Sequence, residues 1–298
     1  MKHDARTITA SDGIPLRLEQ WEPEGPVRFA VMLVHGGGDH VGRFGTVVET
    51  LGALGGFVFG IDLRGQGASG GPRGHVDRFE DYANDLRHTL LEVAATRPEA
   101  QQPSRMPWFV YGHSVGGLAT LLYLLDRASD VPLRGVILSA PLLGLAMEVP
   151  GYKKQIARIA VKLLPKLALP SGIPPTWISH DPTAVAAYVA DERRVTVSSA
   201  GWYFAMIRAI ERVKTEIGRI RVPLLWLAPG EDGVADPRAH APMFARLTEP
   251  QRDDQTLVDL PGCFHEAHNE LPNLRDKAMQ IVRDWVAERV ERSSDAIG

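Results

Sequence analysis

Cysteine is nearly absent: Cys263 stands alone in 298 residues. A single thiol excludes an intramolecular disulfide and suits a reducing compartment, so the expected location is cytoplasmic. Long hydrophobic runs are missing as well. No stretch approaches the ~18 consecutive apolar residues that span a bilayer, and the opening MKHDARTITASDG lacks the apolar centre of a signal peptide. Nor does one sign of charge dominate. A formal net charge of −3 offers no electrostatic footprint for nucleic acid. Internal repeats, low-complexity tracts and metal-spaced Cys/His clusters are absent too. What remains, 44% hydrophobic and 23% charged residues, is ordinary globular composition, long enough for one large domain or two modest ones.

Short apolar runs recur through the first half: Phe29–Val34 before His35-Gly36, Phe57–Ile61 before Asp62, Trp108–Tyr111 before Gly112, and Val136–Leu138 before Ser139. Continuous runs of this length read as strands buried on both faces. Between them Phe79, Tyr82, Ala83, Leu86, Leu90 and Val93 repeat at helical spacing, with Asp77 as candidate N-cap, and 115–125 is apolar almost all round. Strands alternating with helices imply an α/β fold with a mostly parallel sheet covered on both faces. An antiparallel hairpin across Ser11-Asp12-Gly13 opens the chain. The rhythm stops near residue 143 and resumes at Val222, so 1–142 and 222–298 form the expected core and 143–221 an inserted helical cap. Two further strands, 223–228 and 255–260, precede a last helix striped by Leu274, Ala278, Ile281, Trp285 and Arg289.

Gly112-His113-Ser114-Val115-Gly116 fits G-x-S-x-G between a strand and a helix. A serine on so sharp a turn needs glycines two residues to either side, because side chains there collide, and the helix N-terminus favours developing negative charge. Such a nucleophile needs a base, and the base an orienting acid, in the chain order Ser, acid, His. Asp232 follows one late strand and His265 the next. Glu231 and Asp236 compete for the acid role; Asp236, before Pro237, suits a helix cap better. The oxyanion formed by acyl transfer needs two donors. The backbone N–H of Val115 is one; Gly37, in His35-Gly36-Gly37-Gly38-Asp39-His40, is the other.

Two rival motifs fail. Gly65-Gln66-Gly67-Ala68-Ser69-Gly70 satisfies G-x-G-x-x-G, but it does not open a helix, and no second strand bears an acid about 20 residues on. His265-Glu266-Ala267-His268 is one residue short of H-E-x-x-H, so its imidazoles do not share a helix face, and no third ligand is near in sequence. His268 reads as a bystander beside His265, and Glu266, Asn269 and Glu270 as residues that tie down the turn. His75 and His88 read as solvated; His180 and His240 carry no signal.

Four blocks together resemble the monoacylglycerol lipase and lysophospholipase branch of the α/β-hydrolases, the serine aminopeptidase S33-type fold. They are His35–Phe44, Asp62–Gly70 with Asp77–Leu86, Gly112–Gly117 and His265–Glu270. The resemblance implies an eight-stranded, mostly parallel sheet and the triad Ser114, Asp232 and His265, with Gly37 and Val115 as oxyanion donors. His40, His113, Leu142 and His268 are candidates for the pocket wall or the layer behind it. Three positions depart from the pattern: Gln66 where histidine is usual, Val115 where methionine is frequent, and Asp191-Glu192 where Asp-Pro is common. The implied activity is hydrolysis of monoglycerides, lysophospholipids or simple esters through an acyl-enzyme, with no metal or organic cofactor. A peptidase, perhydrolase or acyltransferase on the same scaffold, or a silent binding protein, remains the alternative.

Residues 151–180 contain no acid but carry Lys153, Lys154, Arg158, Lys162 and Lys166, interleaved with Ile156, Ile159, Ala160, Leu163 and Leu164. This pattern fits either transient contact with an anionic membrane surface or a cap helix whose lysines are merely solvated. The sequence is silent on oligomeric state.

Overall fold

The computed structural model describes residues 1–97, 106–127, 130–147, 163–247 and 254–295, with 151, 155 and 161. The strands are β1 (Lys2–Thr9), β2 (Pro15–Glu22), β3 (Phe29–Val34), β4 (Gly56–Ile61), β5 (Trp108–His113), β6 (Leu133–Ser139), β7 (Ala168–Pro170), β8 (Val197–Ser199), β9 (Leu224–Pro229) and β10 (Gln255–Leu260). Eight of them form one sheet in the order β1-β2-β4-β3-β5-β6-β9-β10. β1 and β2 pair antiparallel with each other and β2 with β4; every other pairing in this sheet is parallel.

The continuous apolar runs have a simple cause. Successive side chains of a strand point to opposite faces, and here both faces are covered. Ala30, Met32 and Val34 of β3 pack into one cluster with Phe79, Tyr82 and Leu86 of α2 (Phe79–Ala95) and Leu118 and Leu122 of α3 (Val115–Arg127). Phe29, Val31 and Leu33 face the other way, against Val47 and Leu51 of α1 (Gly45–Gly52). That second face is completed by Ala278, Val282, Trp285 and Val286 of the C-terminal helix. Gly135 in β6 makes room for it: a Cβ there would lie 2.4 Å from Trp285 Cη2.

Three expectations change. Asp77 is not the α2 cap; Arg78 holds that position without a side-chain bond, and the acids Glu80 and Asp81 occupy the first turn. The Asp77 carboxylate instead accepts from His75 Nε2 at 3.1 Å. His75 is not solvated but buried, its Nδ1 bonded to Ser199 Oγ at 2.7 Å. The segment between β6 and β9 is also not purely helical, because β7 and β8 pair antiparallel within it. Strands of three residues are too short to show alternation. The same segment carries α4 (Pro182–Ala190), capped by Asp181, and α5 (Ala200–Glu216), capped by Ser199. Of the basic stretch, Lys153, Lys154, Arg158, Lys162, Ile156, Ile159 and Ala160 lie outside the described residues; Leu163, Leu164 and Leu167 are exposed. Among the described residues no helix is long and apolar enough to cross a membrane.

Candidate active site

β5 enters α3 with Ser114 alone between them, at φ 52°. That left-handed conformation costs a non-glycine residue roughly 1–3 kcal/mol and persists only where the surroundings enforce it. The Ser114 N–H donates to the Ser139 carbonyl at 3.0 Å, and its own carbonyl accepts from Leu118 N (3.1 Å) and Leu142 N (3.0 Å). The flanking glycines are obligatory. A Cβ on Gly112 would lie 2.6 Å from Thr120 Oγ1, and one on Gly116 only 2.2 Å from the Val34 carbonyl oxygen.

The loop after β3 lies against this turn. A Cβ on Gly37 would come within 2.9 Å of Val115 Cγ2, so glycine lets the loop backbone lie against the Val115 side chain. The next amide is occupied, since Gly38 N–H donates to Gln66 Oε1 at 3.0 Å and the Gly38 carbonyl accepts from Val195 N. His35 pins the loop's start: its Nδ1–H donates to the Gly36 carbonyl (2.7 Å) and its Nε2 accepts from Leu63 N–H (2.8 Å). Burial keeps this imidazole neutral, lowering its pKa. The glycine-rich 65–70 stretch wraps Asp62, which accepts from Val41 N and Ala68 N. At Gly67 a Cβ would sit 2.2 Å from Asp62 Oδ2. These glycines serve the approach of one loop to another, and Gln66, a departure from the family pattern, lies on the cleft wall.

Asp232 and His265 follow adjacent parallel strands, β9 and β10, which brings the two side chains together. His265 Nδ1–H donates to Asp232 Oδ2 at 2.6 Å, and Asp232 Oδ1 accepts from Val234 N (2.7 Å) and Ala235 N (2.9 Å). Both side chains are buried. Glu231 is exposed, and Asp236 caps Pro237–Ala239, accepting from Arg238 N at 3.0 Å. Burial opposes the imidazolium of His265. The Asp232 carboxylate, with Glu266 and Asp39 beyond it, outweighs burial and holds the His265 pKa above its ordinary value.

The turn around His265 is tied down by groups far away in sequence. Glu270 accepts from Phe264 N (2.7 Å), His180 Nδ1 (3.0 Å) and His180 N (3.2 Å). Glu266 accepts both Nη groups of Arg43 (3.0 and 2.7 Å) and the Asn269 amide (2.8 Å). His268 is fully buried, stacked on Phe44 at 4.5 Å with neither nitrogen bonded among the described residues, and burial lowers its pKa to about 4. His113 lies between it and His265, with ring centroids 5.1 and 4.7 Å away. His240, without signal in sequence, is buried and accepts from Trp226 Nε1.

Ser114, His265, Gly37, Val115, His113 and Leu142 line one cleft of about 1280 Å³, its open mouth included. Trp177, Trp202, Tyr203 and Met206 from the 143–221 segment supply much of its apolar wall. His40 and His268 do not reach the cleft; His40 is buried behind it, its Nε2–H donating to Asp191 at 2.7 Å. Among the described residues no group of three His, Cys, Asp or Glu side chains could hold a metal. Glu270 ties down the turn as its place in the His265–Glu270 block suggests, whereas Arg194, on the cleft wall, has no motif to mark it.

Residues 25–272 match the family described as serine aminopeptidase, S33. The monoglyceride lipase of Rattus norvegicus is 27% identical over 292 residues, covering 96% of this chain and 91% of the relative. An abhydrolase domain-containing protein of Dictyostelium discoideum is 28% identical over 99% of this chain, which spans 30% of that relative's length. Among solved structures, the monoacylglycerol lipase of Paleococcus ferrophilus has a TM-score of 0.79 at 27% identity, covering 91% of this chain and 99% of that one. The eight-stranded sheet, the serine turn after β5 and the length of these matches lead to one conclusion: the chain belongs to the serine aminopeptidase S33 family of α/β-hydrolases, in its monoacylglycerol-lipase-like branch.

Proposed function

We propose that this protein hydrolyses carboxylic esters of lipid-like substrates, with an acyl chain in the apolar cleft, through Ser114, His265 and Asp232. The observation that carries the reading is the buried bond between His265 and Asp232 at 2.6 Å, with His265 and Ser114 on one cleft wall. Similarity to proteins named as monoglyceride lipases supports the substrate class. In this mechanism Ser114 Oγ attacks the ester carbonyl while His265 Nε2 takes its proton. Asp232 keeps the other ring nitrogen protonated and stabilises the imidazolium. The N–H groups of Gly37 and Val115 receive the oxyanion, for which the Gly38 amide, already bonded to Gln66, is not free. The leaving alcohol takes the proton from His265, and water activated by the same imidazole releases the acid. Residues 143–221 act as the cap over the acyl chain, and their exposed Leu163, Leu164 and Leu167 suit transient contact with a lipid surface.

A fluorophosphonate is expected to add to the wild type and not to Ser114→Ala, by intact mass. Hydrolysis of acylglycerols should rise with chain length from acetyl to octanoyl. Wild type that takes no adduct removes the nucleophile assignment, and equal rates for acetyl and octanoyl esters remove the lipid reading. A second expectation concerns pH. His265 acts as a base only when neutral, and its pKa lies above the ordinary value of about 6.5. Activity should therefore be lost as pH falls, with the acid limb of kcat/KM centred above about 6.5. A pH profile on a neutral p-nitrophenyl ester checks this; a midpoint at or below 6 contradicts it.

A further inference from the structure

Most arginines near the cleft and under the 143–221 segment are matched to carboxylates. Arg43 has Asp39 and Glu266, Arg193 has Glu19, and Arg64 has Asp12 and Asp85. Arg194 is different. It lines the cleft that Ser114 and His265 line, yet no carboxylate among the described residues lies within 4.0 Å of it. One nitrogen, Nη1, donates to the Tyr188 carbonyl at 2.8 Å, and Cζ stacks 3.2 Å above the Tyr188 ring. Nε is buried with no hydrogen-bond partner, and Nη2 makes no hydrogen bond within the described residues. Nη2 shares an edge of the guanidinium with Nε and, unlike Nε, keeps accessible surface, so it is the donor left for a carboxylate or phosphate.

The backbone holds this cation in place. Val195, the next residue, donates its N–H to the Gly38 carbonyl at 3.0 Å, bridging the 143–221 segment to the loop that carries Gly37. Arg194 is thus built onto the strut beside the reacting centre rather than carried on a free loop. The carboxylates on that wall are spoken for: Glu266 and Asp39 pair with Arg43 at 2.7 and 3.1 Å, and burial drives the Asp39 carboxyl toward its neutral form. Holding an unpaired cation at a half-buried position is costly, and an anionic ligand repays the cost.

We propose that Arg194 is a specificity residue that recognises an anionic group, phosphate or carboxylate, at the polar end of an amphiphilic ester. The inference rests on the ester-hydrolase reading and narrows its substrate class. Neutral acylglycerols then lack a partner for this guanidinium, whereas an acylglycerol phosphate supplies one. A purely structural arginine, serving only to stack on Tyr188, would affect charged and neutral substrates alike.

The test compares kcat/KM for 1-octanoylglycerol 3-phosphate, 3-octanoyloxypropanoate and uncharged 1-octanoylglycerol, in wild type, Arg194→Met and Arg194→Lys. Arg194→Met should lose about 10- to 100-fold on one or both anionic esters and less than about 3-fold on the neutral one. Arg194→Lys should recover part of the loss. A fall confined to the phosphate ester assigns a phosphate site, and a fall confined to the carboxylate ester a carboxylate site. Equal falls on all three esters overturn the proposal. Independently of any variant, octyl phosphate should bind the wild type at least about 10-fold more tightly than octanol by calorimetry, the advantage shrinking with added salt. Equal affinities overturn it as well. Fluorophosphonate labelling of Ser114 separates the two readings: wild type that takes no label sinks the hydrolase reading, while octyl phosphate binding still judges Arg194.

Discussion

Asp232→Asn is expected to lower kcat about 10³- to 10⁴-fold on a p-nitrophenyl ester while leaving the fold intact. The carboxylate makes three bonds, to His265 Nδ1 through Oδ2 and to Val234 N and Ala235 N through Oδ1. An asparagine oxygen can still accept the two backbone donors, so the turn after β9 keeps its shape. Its amide nitrogen then faces His265 Nδ1 as a donor, which forces that nitrogen to accept and moves the ring proton to Nε2. An imidazole protonated there cannot take the proton from Ser114. The loss is therefore one of tautomer rather than stability, and it should fall on kcat far more than on KM. Two neighbours serve as controls. Glu231→Gln, at an exposed position, should change kcat less than about 2-fold; Asp236→Asn, at the cap of a short helix, should cost at most about 1 kcal/mol of stability with kcat retained. Steady-state kinetics with fluorophosphonate labelling rates measure all three, and an Asp232→Asn rate within tenfold of wild type removes Asp232 from the proposed triad.

The inner strands β3, β4, β5 and β9 are readable because they are buried on both faces, so each stands out as an apolar run with its own end, whereas β1 and β2, partly exposed, show only as alternation across a turn. β10 was found at Gln255–Leu260 to the residue. The serine turn was readable because steric necessity writes glycine into the sequence at 112 and 116, where a Cβ has no room. Nothing comparable marks a side chain whose partner is distant. His75 looks like a surface histidine until Ser199, from the far end of the 143–221 segment, closes over it. Asp77 looks like a cap because the helix follows it, yet its partner is that same histidine. His180 and Glu270 find each other across ninety positions, and Arg43 and Glu266 across more than two hundred. Local patterning reports which atoms must be absent or apolar; it does not report which two polar groups tertiary packing will bring together.

Arg43→Met should be the most destabilising substitution next to the cleft that leaves every proposed reacting group in place, costing about 3–5 kcal/mol at pH 8. The guanidinium grips Glu266 with two bonds, 3.0 and 2.7 Å, and lies 3.1 Å from Asp39. All three side chains are less than one-tenth exposed. Burial pushes the Glu266 carboxyl up, and Arg43 overcomes that push and holds it below its ordinary value. Without Arg43, burial acts unopposed: the folded-state pKa of Glu266 rises above that of the unfolded chain, and that of Asp39, already raised by burial, rises further. The folded variant then binds more protons than the unfolded one, so its deficit should be largest above the raised pKa values and shrink as pH falls toward 5. Wild-type Glu266 moves the opposite way, its contribution being lost as pH falls through that group's depressed folded pKa, so the two stability curves converge at low pH. Adding Glu266→Gln to the variant should recover part of the loss at pH 8 by removing one unpaired charge. Urea unfolding at pH 8 and pH 5 tests this, and a deficit under 1 kcal/mol or one indifferent to pH contradicts it. The same charges reach the reaction. Glu266 and Asp39 already help to raise the His265 pKa, and removing the cation between them should move the acid limb of kcat/KM to still higher pH. On that expectation Arg43 would link the stability of the turn around His265 to the pH range in which His265, as the proposed base, is neutral.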